Sequence, residues 1–414
     1  MRRLNAFPLL IVSFASILKT WEKELKIMDF SPEDYVIVQG TEKKRRAQLA
    51  LNKKIVILNY DMIINYNILD MEWGGIIFDE SHKLCNPKIS ITRHILSHTR
   101  LFHNPICALS GTPAMESPVG YASQFFAIDK QFMGYQSLAR YLFDNWKFSS
   151  ITSKWTPRRK RHEEEISEYI SKHAYVVKPE DIGLDVPKLY ARRDMCLNAK
   201  QERALDWAYS KKLTLNQVSE FMGMDARKGD MVYVAYENAI CAGIDPKTKT
   251  MISLDKIKEV LAMYRDNPEP IVVTSYYKLP LITAYKMFKK AGIPCGLICG
   301  TLKAKGYSLL EYREHVRDRF QAGELPVLFG QSKIIKMGLD LSVADHMISL
   351  SNNHSAETRF QLELRITNLN KKRPVQYTDL VTPDRIDDKI IDVLKSKDLN
   401  ANRILKSYIK SRIK

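Results

Sequence analysis

Short apolar runs, each a few residues long and each followed by a stretch of helical periodicity, recur along this sequence. Leu9–Val12, Ile55–Leu58, Gly75–Phe78 and Ile106–Leu109 lie in the first half. Ile271–Thr274, Gly296–Cys299, Val327–Phe329, Met347–Leu350 and Val375–Leu380 lie in the second. A strand that is apolar at nearly every position is covered on both faces, and helices on both faces imply a parallel sheet. Two such sets predict an α/β protein of two doubly wound parallel-sheet lobes. The 414 residues, 45% of them hydrophobic, are enough for two ordinary cores.

Between the two sets the pattern changes. Lys154–His162 is strongly basic and runs into Glu163-Glu164-Glu165, so residues 151–178 read as a basic helical segment. Pro179–Lys188 holds the breakers Gly183 and Pro187 and reads as a linker. Asn198–Ala242 is helical in pattern and joins neither sheet clearly. The expected organisation is a first lobe over residues 1–185, a linker and helical region over 186–250, and a second lobe over 251–414.

The formal net charge is +17, with 27% charged residues. That surplus favours a polyanionic partner through phosphate neutralisation and counterion release. No stretch approaches the apolar length that spans a bilayer. The apolar run after Arg2-Arg3 is ended by Lys19-Thr20-Trp21-Glu22 with no small-residue cleavage site, so it reads as a strand and not as a signal. Cys85, Cys107, Cys196, Cys241, Cys295 and Cys299 form no C-x-x-C pair. A reducing cytoplasm and no zinc site are the expectation.

The chemistry concentrates in Asp79-Glu80-Ser81-His82. The apolar run before it places both carboxylates at the carboxyl end of a strand, the edge where open parallel sheets bind ligands. Two adjacent acids there divide labour in phosphoryl transfer: Asp79 holds magnesium, usually through water, and Glu80 orients and deprotonates the attacking water. A bare Asp-Glu is more often a favourable helix start. Four consecutive matches after an apolar strand outweigh that reading. Ala108-Leu109-Ser110-Gly111-Thr112-Pro113 is a second strand-to-turn transition. Gly111 would permit close backbone approach there, and Ser110 and Thr112 would couple the acid motif to a partner lobe, as would His82.

These runs resemble the Swi/Snf-type (switch/sucrose-nonfermenting) branch of helicase superfamily 2, in the compact form common in bacteria and phages. Pro8–Glu24 is similar to that family's motif Ia, Ile57–Tyr60 to motif Ib, Ile271–Tyr277 to motif IV and Lys336–Asp345 to motif V. Trp73-Gly74-Gly75 before the acid motif and Lys83–Pro87 after it also fit. The resemblance implies two RecA-like lobes with ATP and magnesium in the cleft between them. It implies DNA-stimulated ATP hydrolysis that drives translocation on DNA, as a helicase or remodeller in replication, repair or recombination. Gly338 and Asp340 of motif V are then nucleotide-side residues. The implied compartment is the cytoplasm of a bacterial or phage-infected cell.

Two departures stand against these matches. No Gly-x-x-x-x-Gly-Lys-Ser/Thr run, whose backbone N–H groups and lysine hold nucleotide phosphates, occurs in the sequence. Motif Ia begins about ten residues from Met1, so the first lobe is expected to be incomplete at its N-terminus. A separate polypeptide carrying the phosphate loop is one implied partner. In motif VI the family pattern is Gln, three residues, Arg, two residues, Arg. Gln361 and Arg365 match, while Asn368 stands where the arginine finger is expected. That finger is worth roughly 10³ or more in rate. The alternative to a motor is a catalytically silent DNA-binding protein, or one piece of a split helicase.

DNA crossing such lobes would meet strand-end loops through Ser16, Lys19, Asn59, Tyr60, Ser275, Tyr276, Lys336 and Ser342. Each of these taken alone is more often a cap or a solvated side chain. Arg158–Arg161 would grip phosphates or neutralise the adjacent glutamates with equal ease. The basic tail Arg403–Lys414 reads as an amphipathic helix packed on a lobe, or as a DNA-facing arm. Without a base-reading motif, contacts would fall on the backbone, with strong salt dependence and weak sequence preference.

Overall fold

Parallel pairing organises both halves of the chain in the computed structural model. The structure describes all residues except 1–4, 16, 100–102, 112, 114–118, 130, 150–153, 160, 176, 178–185, 211–213, 226–228, 301–306, 368–370, 372 and 397–414. The side chains of Lys19, Thr99, Ser149, Lys154 and Ser396 are also outside the description. Two units separate between Val177 and Lys178.

In the first unit, β1 (Leu9–Ser13), β2 (Tyr35–Ile37), β3 (Ile55–Asn59), β4 (Gly75–Phe78) and β5 (Ile106–Ala108) form one sheet in the order β2-β3-β1-β4-β5. Every pair in it is parallel. β1 lies at the centre, with Leu9 opposite Ile55 on one side and Gly75 on the other. Strand side chains alternate between faces. Leu10, Val12, Val56, Leu58 and Phe78 therefore enter one core with Trp73, while Leu9, Ile11, Ile55 and Ile57 enter another with Leu25. All five residues of β1 are buried, which is why the run carries no polar alternation. Beyond β5, helices Val119–Asp129, Leu138–Asn145 and His162–His173 pack with an antiparallel hairpin of β6 (Trp146–Ser149) and β7 (Lys154–Pro157). Phe125, Phe132, Tyr141 and Trp146 build their shared core.

In the second unit, β8 (Lys188–Asp194) precedes helices Ala199–Tyr209, Leu215–Met222 and Met231–Cys241. A short antiparallel pair follows, β9 (Ile244–Asp245) with β10 (Thr250–Met251). Then come β11 (Ile271–Ser275), β12 (Cys295–Ile298), β13 (Val327–Gln331), β14 (His346–Ser351) and β15 (Val375–Val381). The second sheet has the order β12-β13-β11-β14-β15-β8, again parallel throughout. Its two cores hold Val273, Phe288 and Phe329 on one face and Val272, Phe320 and Leu328 on the other. Two doubly wound parallel-sheet lobes are therefore present, as the apolar runs imply. The three helices after β8 have a core of their own around Leu205, Val218 and Tyr236.

The differences from expectation are local. Gly296–Cys299 shifts by one residue to Cys295–Ile298, and most other strands extend by a residue or two into their polar ends. β2 is only three residues long and sits at an edge, too short to stand out as a run. β8 falls where linker and helix were expected. It is an edge strand, paired only to β15 and largely exposed, so Lys188-Leu189-Tyr190-Ala191-Arg192-Arg193-Asp194 carries no buried run to betray it.

Candidate active site

β4 ends at Phe78, but the backbone stays in the sheet for one more bond, from the Asp79 N–H to the Val12 carbonyl at 2.8 Å. Asp79 is thereby fixed at the carboxyl end of the central strands. Its Oδ2 accepts from the Ser13 hydroxyl at 2.7 Å and from the Trp21 indole N–H at 2.8 Å. Its Oδ1 accepts from the Glu80 backbone N–H at 2.9 Å. Ser13 closes β1 and Trp21 lies on the helix Leu18–Ile27 that follows, so the motif Ia segment orients this carboxylate. Tyr60 supports it from behind, donating its phenol O–H to the Asp79 carbonyl at 2.8 Å. Burial, and then the charges of Asp79 and Glu80, push the Tyr60 phenol well above its ordinary range, so it stays a donor.

Glu80 has φ 51, a left-handed conformation. For a residue with a Cβ this costs about 1–2 kcal/mol, and such strain collects where function fixes the backbone. Glu80 Oε2 stands 3.1 Å from His82 Nδ1. The same nitrogen lies 3.4 Å from the Ser110 hydroxyl, at the long limit of a hydrogen bond. Ser81 is buried, with its hydroxyl donated to Gln124 at 2.6 Å and its N–H to the Leu109 carbonyl at 2.8 Å. The acid motif and the Ser110 turn are thus one assembly across β4 and β5. His82 and Ser110 make these contacts inside the first unit. Gly111 is exposed, and a Cβ built there would meet nothing within 4 Å among the described residues. Thr112, Ser16 and the side chain of Lys19 lie outside the described residues.

The donors around Asp79 bear on a metal. Among the described residues, donors use both lone-pair directions of Oδ2 and one of the two on Oδ1. Among the described residues no group of three or more His, Cys, Asp or Glu side chains could hold a metal ion. Magnesium is commonly held by one or two carboxylates, several waters and substrate phosphates. The residues present fit that outer role through Asp79 Oδ1 and do not form a protein-built cage.

Asn59 and Tyr60, expected to face DNA, serve the fold here. The Asn59 side chain caps the helix Tyr60–Asn65 by accepting from the Met62 N–H at 3.2 Å, and Tyr60 is buried. In the second unit Ser275 is buried at the end of β11, bonded to the Ser351 hydroxyl at 2.8 Å. Tyr276 is half-buried, with the Lys333 ammonium 4.6 Å above its ring. Lys333, exposed just past β13, was passed over in the sequence for want of a motif around it. Lys336 is held by Glu357 at 3.1 Å and Thr358 at 3.3 Å.

Gly338 has φ +72, a turn that favours glycine. Asp340 is exposed, and its carboxylate accepts from the Ser342 N–H at 3.0 Å. The Leu341 N–H donates to the Arg365 carbonyl at 2.8 Å, which joins the motif V and motif VI segments. Gln361 is buried, and its carbonyl accepts from Arg365 Nε at 3.0 Å. Asn368 lies outside the described residues. Lys371 gives the Ser342 and Ala344 carbonyls 2.6 and 2.5 Å bonds and meets the Asp345 carboxylate at 2.6 Å. An ammonium has three donors, so Lys371 is fully used as a clamp and does not replace a finger.

Residues 3–187, which hold the whole of this acid site, match the family described as SNF2-related domain. That segment is similar to the SNF2-related domain, and the chain is similar along most of its length to Swi/Snf-type proteins. The chain is 24% identical over 404 residues to a Drosophila melanogaster protein. That relative is the SWI/SNF-related matrix-associated actin-dependent regulator of chromatin subfamily A-like protein 1; the match covers 94% of this chain and 49% of the relative. It is 23% identical over 417 residues to YwqA of Bacillus subtilis, provisionally named an ATP-dependent helicase/translocase, with 97% and 43% covered. The chain thus spans about half the length of these curated relatives. Among solved structures it is similar to a Sulfolobus solfataricus SWI2/SNF2 ATPase core in complex with dsDNA, at TM-score 0.39 and 18% identity over 98% of this chain and 84% of that one. Among the described residues no helix is long and apolar enough to cross a membrane.

Proposed function

We propose that this chain is the larger part of an ATP-driven DNA translocase or helicase, acting in replication, repair, recombination or remodelling. The cytoplasm of a bacterial or phage-infected cell is its proposed place. The observation that carries the reading is the pair Asp79–Glu80 at the carboxyl end of the central parallel strands, with His82 and Ser110 against it. Asp79 would hold magnesium through water, and Glu80 would accept the proton of the attacking water. When bound, magnesium neutralises charge on the phosphates. Gly338, Asp340, Gln361 and Arg365 are the second lobe's own nucleotide-side residues in this reading. Tyr276 and Ser342, with Ser16 and Lys19, meet the DNA backbone.

No phosphate loop lies in these 414 residues. The backbone N–H groups that hold the phosphates are therefore supplied from outside them, and the chain alone is weak or inactive in hydrolysis. A second reading, a catalytically silent DNA-binding protein, is favoured by Asn368 in the finger position and by the full commitment of Lys371.

The deciding experiment measures DNA-stimulated ATP hydrolysis by the chain, alone and mixed with a polypeptide that supplies a strand, phosphate loop and helix. Turnover only in the mixture, lost in Glu80→Gln, supports the motor. Robust turnover by the chain alone, also lost in Glu80→Gln, overturns the external phosphate cradle. DNA binding without turnover in either case selects the silent reading.

A further inference from the structure

We propose that the surface around Phe143 is an accessory site for an unpaired nucleic-acid strand, with a base stacked on the ring and phosphates paired to Arg140 and Arg158. The proposal rests on the nucleic-acid reading above and adds to it a contact outside the motifs.

The helix Leu138–Asn145 buries Leu138, Tyr141, Leu142 and Asn145. Its outer side carries Arg140 and Phe143, and Phe143 is 69% exposed. A single exposed phenylalanine is ordinary and means little. This one has two cations with it: the guanidinium carbons of Arg140, which is ion-paired to Asp144, and of Arg158 each lie over the ring, 5.9 Å from its centroid. Both guanidiniums are anchored through Nε. Arg158 Nε donates to the Phe143 and Trp146 carbonyls at 3.0 and 3.2 Å, and Arg140 Nε donates to Asp144 at 2.8 Å. Each guanidinium has four further N–H donors, the fork that suits a phosphate.

A flat apolar ring with two forked cations close to it matches a base and its phosphates. Duplex DNA hides its base faces, so the fit is to a single strand or to an unstacked base. The chain's net charge of +17 draws the same ligand. The hairpin that follows this helix is itself tied down. The Lys88 ammonium sits 3.1 Å over the Phe148 ring and 5.6 Å from that of Trp155, tying the β6–β7 hairpin to the loop that follows the acid motif.

The test is equilibrium binding of a short single-stranded DNA and of the matching duplex, over a range of salt. The proteins are the unaltered chain, Phe143→Ala, Phe143→Tyr and the double variant Arg140→Gln with Arg158→Gln. Loss of one stacked base weakens binding roughly 5- to 100-fold on alanine-scan magnitudes. That loss is expected in Phe143→Ala for the single strand, with retention in Phe143→Tyr and a smaller change for the duplex. The double variant is expected to lower the single-strand salt slope by about 1.4, at about 0.7 per phosphate. Unchanged single-strand affinity in both Phe143→Ala and the double variant, in a chain that still binds DNA, overturns the accessory site and leaves the motor reading standing. Absence of any DNA binding by the unaltered chain overturns both. Phe143 is exposed and outside the core, so a matched circular dichroism spectrum certifies the variants' fold.

Discussion

The carboxyl ends of the two sheets use charged side chains in opposite ways. In the first lobe, Asp79, Glu80 and His82 are half-buried, and among the described residues the donors to Asp79 leave one lone-pair direction of Oδ1 over. In the second lobe, the charges on and beside helix Ala356–Glu363 are consumed internally. Arg359 meets Glu363 at 2.8 Å and Asp379 at 2.6 Å, Lys336 meets Glu357, and Lys371 meets two carbonyls and Asp345. An arginine or lysine near the right motif is therefore no guide to reactivity. What counts is how many of its donors the fold has already used.

The largest expected effect breaks the second, closed network. Arg359 bonds two carboxylates that are themselves nearly buried, with Tyr190 also donating to Glu363 at 2.7 Å. Removing one partner of a buried pair leaves an uncompensated charge and costs about 3–5 kcal/mol. Arg359→Met is expected to destabilise the second lobe by that amount, read as faster hydrogen exchange of the β14 and β15 amides. Exchange unchanged from the parent would mean that this end of the sheet is not closed by its charges, and the contrast with the first lobe would fall.

A second test sharpens the claim that the second sheet excludes unpaired charge. Burial depresses the His346 imidazole to about 4, where Nε2 lies 2.8 Å from the Thr378 hydroxyl. The folded state then favours neutral histidine. Between its ordinary value of about 6.5 and 4, the unfolded chain binds more protons than the folded one. Stability is complete above about pH 6.5 and falls as pH drops toward 4. The full loss is about 3 kcal/mol. His346→Gln is expected to flatten that part of the urea-midpoint profile; an equally steep profile would show that the slope comes from other groups.

How far these sites could be read in the sequence follows from the same contrast. The buried strands were legible because a covered strand is apolar at successive positions, as in Leu9-Leu10-Ile11-Val12 and Ile55-Val56-Ile57-Leu58. β8 was not, because an edge strand of Lys, Tyr and Arg looks like loop. The acid motif was legible because its residues are adjacent in sequence and follow an apolar run. The roles of Ser13, Trp21 and Tyr60 around Asp79 were not, since those residues converge from three different segments. Lys371 shows the same limit: its sequence position gives no hint that the Ser342–Asp345 turn claims all of its donors.

Returning to the open site, Asp79→Ala removes the acceptor shared by Ser13, Trp21 and the Glu80 N–H. Leaving buried donors unmade costs about 1–3 kcal/mol, and Asp79→Asn, which keeps one carbonyl oxygen, is expected to lose less. Unfolding of the first lobe by urea reads this difference. Equal losses in the two variants would assign the effect to charge and not to the missing acceptor.

The smallest expected effect concerns strain and not bonding. Glu80 holds φ 51 while its neighbour Ser81 is locked by the Leu109 carbonyl and Gln124. If the left-handed turn is kept for function, glycine should occupy it more easily than alanine. Both Glu80→Gly and Glu80→Ala delete the carboxylate and its contact with His82, so their comparison isolates the backbone. Glycine enters this region with no Cβ penalty, while alanine retains about 1 kcal/mol of it. Glu80→Gly is therefore expected to be more stable than Glu80→Ala by about 1 kcal/mol, less the greater backbone entropy that glycine loses on folding. Neither variant should support hydrolysis in the complemented system, whereas a strained carboxylate at this corner should. Glu80→Ala more stable than Glu80→Gly, the order that chain entropy alone gives, would show that the turn is relaxed in solution. The acid corner would then differ from the second lobe only in its unfilled lone pair and not in its backbone.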